Sequence, residues 1–229
     1  MPILGHWAQQ AYWARAGRTK PQTFAGSVTY WEQRYAQGGN SGVGSYGKFA
    51  QFKAEQLNTF VAQHGVHTVI EFGCGDGNQL SLAKYPSFIG FDVSETAIGL
   101  CRRRFASDKT KTFRMLHEYG GETADLTLSL DVLYHLVEDE VFDSHMRTLF
   151  LASNRYVAIY SRDSNDNRGM KGTHVRHRKF TNWIKENLPD WKLLYHIPNT
   201  FPYKGDYMTG SWSDLFVYER ISEQSSAVD

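Results

Sequence analysis

The stretch HTVIEFGCGDGNQL, residues 67–80, joins an apolar β-branched run to three glycines on alternate positions. A short apolar run that ends in glycines is typical of a buried strand followed by a tight turn. Glycine at this density indicates that the backbone approaches something closely. In open α/β sheets the first strand–turn–helix junction lies at the carboxyl edge, where ligands bind. The stretch therefore predicts a ligand site at its glycine turn.

Strands and helices alternate along the rest of the chain. The predicted strands cover residues 67–72, 87–92, 112–116, 126–130, 155–160, 191–197 and 214–218. The predicted helices cover residues 48–64, 78–84, 94–105, 139–152 and 180–188. This order predicts an α/β fold, a Rossmann-like seven-stranded, mostly parallel sheet with helices on both faces. No helix separates the last two strands, so we expect an antiparallel last strand paired in a hairpin.

The spacing of the glycines distinguishes between two kinds of nucleotide site. A dinucleotide fingerprint, G-x-G-x-x-G, would need glycine where Asn78 stands. The pattern E-x-G-x-G-x-G fits better, with Glu71, Gly73, Gly75 and Gly77. The turn therefore favours a nucleotide other than a dinucleotide. A nicotinamide-dependent oxidoreductase remains the alternative.

Three segments together resemble the class I S-adenosylmethionine-dependent methyltransferases. They are VIEFGCGDG (69–77), FIGFDVS (88–94) and ADLTLSLDVLYHL (124–136), in the family's order and spacing. The closing hairpin is also a feature of that family. The resemblance implies S-adenosyl-L-methionine (SAM) as the cofactor, S-adenosyl-L-homocysteine (SAH) as the product, and a methyltransferase activity.

The resemblance also implies which residues hold the cofactor. Glu71 would bind the methionine amino group, because an ammonium favours a carboxylate partner. Asp92 would bind the ribose hydroxyls, and Val93 would pack on the adenine. The full set of expected cofactor contacts is Glu71, Gly73, Gly75, Asp92, Val93, Leu116, His117, Leu130, Tyr30 and Arg34. Tyr30 and Arg34 enter this set as contacts of the methionine carboxylate.

Three polar residues follow strand four, beside the expected methyl donor. They are Asp131, Tyr134 and His135. Methyl transfer to a hydroxyl needs a base, and a histidine with its unperturbed pKa of about 6.5 can accept a proton at neutral pH. We therefore expect His135 to be catalytic, with Asp131 and Tyr134 near it. The alternative is a histidine that only packs or orients the loop.

Two loops on the same edge of the sheet are expected to bind the methyl acceptor. The expected substrate-binding residues are His174, Arg176, His177, Arg178, Tyr203, Tyr207 and Trp212. Basic groups suit an anionic acceptor, and aromatic rings stack on sugars. The alternative for the basic cluster is a solvated flank of the next helix. No carboxylate stands at clear ligand spacing from the histidines, so no metal site is predicted.

The organisation of the chain follows from these assignments. We expect a single methyltransferase domain over residues 1–229, with an N-terminal helical arm or lid at 1–47 and the catalytic core at 48–229. No apolar run reaches the roughly 18 residues of a membrane span, and the N-terminus lacks the apolar core of a secretory signal. Two cysteines make no disulfide framework, so a cytoplasmic location is expected.

The expected reaction is O-methylation of a small hydroxylated or anionic acceptor, such as a saccharide or a phosphorylated molecule. Lys and Arg number 25 against 24 Asp and Glu, and no basic domain accompanies the core, so nucleic acid is not the expected partner. A non-catalytic SAM-binding subunit of a larger enzyme remains a further alternative.

Overall fold

The computed structural model describes residues 24–168, 170 and 174–221. The prediction about a secretory signal falls on residues 1–23, outside the described part. The helices are α1 (Ser27–Ala36), α2 (Gly47–Gln63), α3 (Glu95–Arg104), α4 (Asp139–Leu151) and α5 (Phe180–Asn187). The strands are β1 (Thr68–Phe72), β2 (Ser87–Asp92), β3 (Lys111–Met115), β4 (Ala124–Leu130), β5 (Ser153–Ser161), β6 (Trp191–Ile197) and β7 (Asp214–Arg220).

The seven strands form one sheet in the order β3-β2-β1-β4-β5-β7-β6. β1 pairs in parallel with both β2 and β4, and β7 runs antiparallel to both β5 and β6. The predicted fold class and the predicted hairpin are therefore confirmed. The strand order reverses at β1, so the glycine turn that follows β1 lies at the topological switch point of the sheet.

Helices cover both faces of the sheet. On one face, Phe52 and Leu57 of α2 and Ile98 of α3 pack against the sheet. On the other face, Phe142 of α4 and Phe180 of α5 do the same. Because each helix buries one apolar stripe and the central strands are buried on both sides, the strands are nearly continuous apolar runs.

One predicted helix is wrong. Residues 78–84 contain only a 3-10 turn, Leu80–Leu82, and Ala83 is already extended. Pro86 disfavours helical geometry at the residue before it, and the side chain of that residue, Tyr85, is buried in the core instead. The local chain therefore leaves the helical conformation after one turn.

Residues 24–47 of the predicted helical arm contain α1, followed by a 3-10 turn at Val43–Ser45, and residues 1–23 of that arm lie outside the described part. Ser94 caps α3 as expected, because its side chain accepts a 3.1 Å hydrogen bond from the amide of Ala97. No helix in the described part of the chain combines the length and apolarity needed to cross a membrane.

Candidate active site

A cavity of about 480 Å³ opens at the carboxyl edge of β1, β2, β3 and β4. Its floor is built from residues at the strand ends: Glu71, Gly73, Gly75, Asp92, Val93, Leu116, Leu130 and Asp131. One wall comes from the arm: Ser27, Val28, Trp31, Tyr35, Ser41 and Ser45. The opposite wall is formed by the loop after β4 and by α4, including His135, Leu136 and His145.

The glycine turn packs closely against other parts of the protein. Gly73 has a φ of 90°, and a Cβ there would lie 2.5 Å from Cγ2 of Val132 in the loop after β4. Gly75 has a φ of 57°, and a Cβ there would collide with Oγ of Ser41 in the arm. Both residues therefore need glycine for their backbone conformation and for close packing. The glycines make room for the loop after β4 and for the arm, which together enclose the cavity.

Glu71 presents a buried carboxyl group to this cavity. Glu71 is only 3% exposed, and no described residue donates a hydrogen bond to its carboxyl group. Burial raises its pKa to about 8; the nearby Lys53 opposes this rise, whereas Asp92 and Asp131 add to it. A buried carboxyl group without a partner is costly, so this site suits a ligand that carries a positive charge.

Asp92 is held in a fixed orientation at the end of β2. Its carboxylate accepts hydrogen bonds from the amides of Gly75, at 2.8 Å, and Ser94, at 2.9 Å. Burial raises its pKa, while these amides oppose the rise. Its position on the cavity floor, next to Val93, suits the acceptance of further hydrogen bonds from hydroxyl groups of a ligand.

Two half-buried carboxylates fasten the arm over the cavity. Glu32 of α1 accepts 2.6 Å hydrogen bonds from the hydroxyls of Ser94 and Thr96 at the start of α3. At the start of α1, Ser27 donates its amide to Glu138 at 3.0 Å, and its hydroxyl lies 2.6 Å from the same carboxylate. These contacts hold the start and the middle of α1 on the core.

A third contact joins the arm to the glycine turn. Asp76 accepts hydrogen bonds from the hydroxyl of Tyr46, at 2.8 Å, and from the amide of Ser41, at 3.0 Å. The Ser41 hydroxyl in turn accepts from the amide of Asp76 at 3.0 Å. Burial of Tyr46, together with its bond to Asp76, raises its pKa to about 12. The arm and the turn are therefore one structural unit.

Tyr30 and Arg34 lie on α1 but are not among the described residues that line the cavity. The Tyr30 ring stacks on that of His174, with centroids 4.2 Å apart. Arg34 donates a 2.6 Å hydrogen bond from Nε to the carbonyl of Asn40. Leu116 lines the cavity, whereas His117 is likewise outside the described lining.

His135 lies in the cavity wall within a group of aromatic rings. Its Nδ1 is 3.1 Å from the carbonyl oxygen of His174, and the two rings stack with centroids 5.1 Å apart. Trp31 of the arm meets it edge-on at 4.8 Å. Burial, followed by the neighbouring His174, lowers the His135 pKa to about 3. The ring is therefore neutral at physiological pH, and Nδ1 carries its proton because a carbonyl only accepts.

Asp131 and Tyr134 are joined next to His135. Tyr134 donates a 2.8 Å hydrogen bond to the Asp131 carboxylate, which also pairs with the amine of Lys53. Sequence reasoning missed Lys53. It stands in the apolar stripe of α2, between Phe49 and Leu57 at steps of four residues, and a charged residue in such a stripe was the available signal.

His145 of α4 was also missed. It lines the cavity, and its Nε2 is 2.9 Å from the hydroxyl of Ser129 on β4. Burial lowers its pKa to about 4. In the sequence His145 falls on a helix face with Phe142 and Leu149, which is typical of a core position and gives no separate indication of a site.

The expected acceptor residues are not brought together in the cavity. Arg176 and Arg178 both pair with Asp139 at 3.0 Å, and both donate to the carbonyl of Val137. Their guanidinium groups thus fasten the loop after β5 to the start of α4. His177 is 6% exposed, with both ring nitrogens buried and no hydrogen-bond partner in the described part of the chain.

The aromatic part of the expected acceptor set forms a cluster of its own. Tyr203 packs on Trp212 and on Tyr207, with centroids 4.0 and 4.7 Å apart. The guanidinium of Arg162 lies 4.1 Å from the centre of the Trp212 ring. The His177 ring meets the edge of Trp212 at 6.2 Å. This cluster is outside the described cavity lining, beside the loop after β5.

The fold and the site define a class of protein. A sheet with an antiparallel β7, and a glycine turn flanked by Glu71 and Asp92 at the switch point, are the architecture of a class I methyltransferase. Residues 70–150 match the family model described as a methyltransferase domain. Residues 70–150 therefore carry a methyltransferase domain, the fold is the class I, Rossmann-like one, and the cofactor is SAM, which yields SAH.

Solved structures agree with this fold. The N-methyltransferase NodS from Bradyrhizobium japonicum WM9, in complex with SAH, has a TM-score of 0.65 at 18% identity, covering 86% of this chain and 100% of its own. The magnesium protoporphyrin IX methyltransferase from Synechocystis PCC 6803, with bound SAM, has a TM-score of 0.61 at 16% identity, covering 88% and 100%. The methyltransferase domain of bacterial CtHen1 has a TM-score of 0.58 at 16% identity, covering 75% and 98%. No curated protein matches the chain.

Proposed function

We propose that this protein transfers the methyl group of SAM to an oxygen of a small hydroxylated or anionic acceptor, such as a saccharide. The observation that carries this proposal is the state of His135. With Nδ1 donating to the carbonyl of His174, the other ring nitrogen has a free lone pair. A hydroxyl acceptor needs such a base, because a neutral alcohol is a weak nucleophile.

The low pKa of His135 affects its proposed role as the base that accepts the proton of the hydroxyl. Nε2 carries no proton at neutral pH, so its lone pair is available, although the same shift makes the ring a weaker base than an ordinary histidine. The hydroxyl becomes more acidic as its oxygen forms a bond to the methyl group, and its proton then passes to the ring. Asp131 and Tyr134 hold the loop that carries His135 rather than exchanging protons themselves.

We propose that the floor of the cavity holds the cofactor. Glu71 receives the methionine amino group, Asp92 the ribose hydroxyls, and Val93 and Leu116 pack against the adenine. Gly73, Gly75 and Leu130 contribute backbone groups toward the methionine end. Bound SAM supplies a methyl group already activated by its sulfonium. The two buried carboxyl groups on one cavity floor, those of Glu71 and Asp92, support this arrangement.

We propose a single domain in which the arm, with α1 at its centre, is a lid over the cofactor. The carboxylate bonds of Glu32, Asp76 and Glu138 to groups across this boundary support the lid. Contacts of Tyr30 and Arg34 with the methionine carboxylate would require these side chains to leave their present partners. We therefore propose that Tyr30 and Arg34 act mainly in closing the arm over the cavity.

The acceptor is proposed to lie between His135 and the aromatic cluster of Tyr203, Tyr207 and Trp212. Rings with polar edges suit sugars, and Arg162 adds a positive charge for an anionic group. Arg176 and Arg178 are assigned to holding the loop, since Asp139 already neutralises them.

The net charge of +1 gives no surplus of positive charge for a nucleic acid partner. The two buried free cysteines support a reducing, cytoplasmic setting.

The experiment that tests the acceptor class uses SAM with a labelled methyl group. The purified protein is incubated with panels of neutral saccharides, sugar acids, phosphorylated sugars, small amines and RNA. Base-stable labelled ethers from a saccharide panel are expected. Labelled amines would contradict O-methylation, and labelled RNA would contradict a small acceptor. Binding of SAM with no transfer to any panel would favour a non-catalytic SAM-binding subunit.

A further inference from the structure

The side chain of Lys53 is completely buried, with 0% of it exposed. It rises from the apolar stripe of α2, and its amine pairs with Asp131 and lies 4.9 Å from the centre of the Tyr160 ring. An amine in such a place is costly unless a negative partner compensates its charge. Asp131 is the ion-pair partner of this amine, and the buried carboxyl group of Glu71 also lies near enough for the amine to lower its pKa.

The partner of Lys53 faces the cavity. Asp131 follows β4 with a φ of 61°, an uncommon conformation for a residue other than glycine. Its amide donates to the carbonyl of Tyr160 at 2.9 Å, and Tyr134 donates to its carboxylate at 2.8 Å. Gly44 of the arm lies so close that a Cβ there would be 2.8 Å from Oδ2. The carboxylate is thus fixed on the cavity wall with Lys53 behind it.

The charge on this wall matters because the cofactor and its product differ in charge. SAM carries a sulfonium, whereas SAH has a neutral thioether at the same position. A carboxylate without a counter-ion would attract the sulfonium, and an amine without a counter-ion would repel it. Two unit charges interact strongly at the short range of a cavity that excludes water. Because the charges of Lys53 and Asp131 cancel, the pair neither attracts nor repels the sulfonium.

We propose that Lys53 is a positioning residue that neutralises Asp131 and so sets the affinity of the pocket for SAM relative to SAH. This proposal rests on SAM as the cofactor. Its catalytic consequence follows from the reaction, since the sulfonium loses its charge as the methyl group leaves. An uncompensated carboxylate would stabilise the charged ground state more than the transition state, which would slow transfer. By neutralising Asp131, Lys53 prevents this slowing of methyl transfer.

The test compares three variants in the full-length protein by calorimetric titration with SAM and with SAH. Lys53→Met is expected to shift the ratio of the two affinities about tenfold toward SAM, and Asp131→Asn about tenfold toward SAH. The double variant, which is neutral again, is expected to return within about threefold of the wild-type ratio. Asp131→Asn keeps the side-chain shape, so it carries the test if Lys53→Met does not fold.

Lys48→Met is the matched control. Lys48 is on the same helix, but its exposed amine donates to the carbonyl of Thr209 at 2.8 Å, away from the cavity. Its removal should leave the ratio unchanged. A role of Lys53 in packing alone would weaken SAM and SAH equally, and an unchanged ratio in both single variants would overturn the proposal. Failure of the wild-type protein to bind either compound would instead overturn the cofactor assignment.

Discussion

The amide of Gly75 donates a 2.8 Å hydrogen bond to the carboxylate of Asp92. This bond joins the turn after β1 to the end of the neighbouring strand β2, so the two strand ends present one continuous site. The bond also sets the orientation of the Asp92 carboxylate before any ligand arrives. The arm then closes this site, because the same turn packs against Ser41.

Replacement of Asp92 should weaken cofactor binding. Asp92→Ala removes the expected ribose contact and the acceptor for two buried amides, and such losses cost about 1–3 kcal/mol each. We expect SAH affinity to fall at least about tenfold. Asp125→Ala is the control, because Asp125 also accepts two amide bonds, from His67 and Thr68, at the opposite edge of the sheet. Equal loss of SAH affinity in both variants, measured by calorimetry, would contradict the assignment.

The protonation of Glu71 should make stability depend on pH. Its pKa in the folded protein is about 8, well above the ordinary value of 4.5, chiefly because it is buried. The protonated form therefore favours folding, and this contribution is complete below about pH 4.5 and lost as the pH rises through 8. Between pH 6 and 8 the loss is on the order of 2 kcal/mol. Urea unfolding should show it in the wild type.

Glu71→Gln is the matched variant for this effect. The amide keeps the shape of the side chain but does not titrate, so its stability should change less between pH 6 and 8 than that of the wild type. SAH affinity in the wild type should rise over the same range, because the ionised carboxylate binds the ammonium. A pH dependence of stability that Glu71→Gln leaves intact would assign the effect to another group.

The arm should open when its carboxylate bonds are removed. Glu32→Ala leaves the hydroxyls of Ser94 and Thr96 without their acceptor, so we expect faster tryptic cleavage after Arg34 and weaker SAH binding. Saturating SAH should slow this cleavage in the wild type. Glu55→Ala changes an exposed glutamate of α2 and is the control. Identical cleavage rates in the two variants would argue against the lid.

His135→Ala should lower turnover by about 10²–10⁴-fold once an acceptor is known, while SAH affinity stays within about threefold. His67→Ala, which changes an exposed residue just before β1, is the control. The pH–rate profile of the wild type should lack an ionisation of His135 between pH 5 and 8, because the His135 pKa is about 3. Near-normal turnover of His135→Ala would remove the histidine from the chemistry and leave it a packing role.

The local pattern of the sequence was enough for the sheet and for the cavity floor. β2 and β6 begin and end where the apolar runs do, and the acids near the end of β1 and at the end of β2 both line the cavity floor. The other walls depend on contacts between distant parts of the chain. The bonds of Glu32 to Ser94 span 62 residues, and those of Arg178 to Asp139 span 39. No local pattern encodes such partners, so the arginines were expected to be free for a ligand.

Lys53 could be predicted from the sequence only in part. Its position in an apolar stripe is visible in the sequence, but its partner, 78 residues away, is not. A lysine in such a stripe also reaches the surface in many helices by extending its long stem. Only the fold shows that its amine points inward to the cavity wall.

The most direct test of the central claim is calorimetric titration of the full-length protein with SAH and, separately, with NADH. A class I methyltransferase site predicts micromolar binding of SAH, no binding of NADH, and loss of SAH affinity in Asp92→Ala but not in Asp125→Ala. Binding of NADH in place of SAH, or of neither compound, would contradict the assignment of the cavity to SAM.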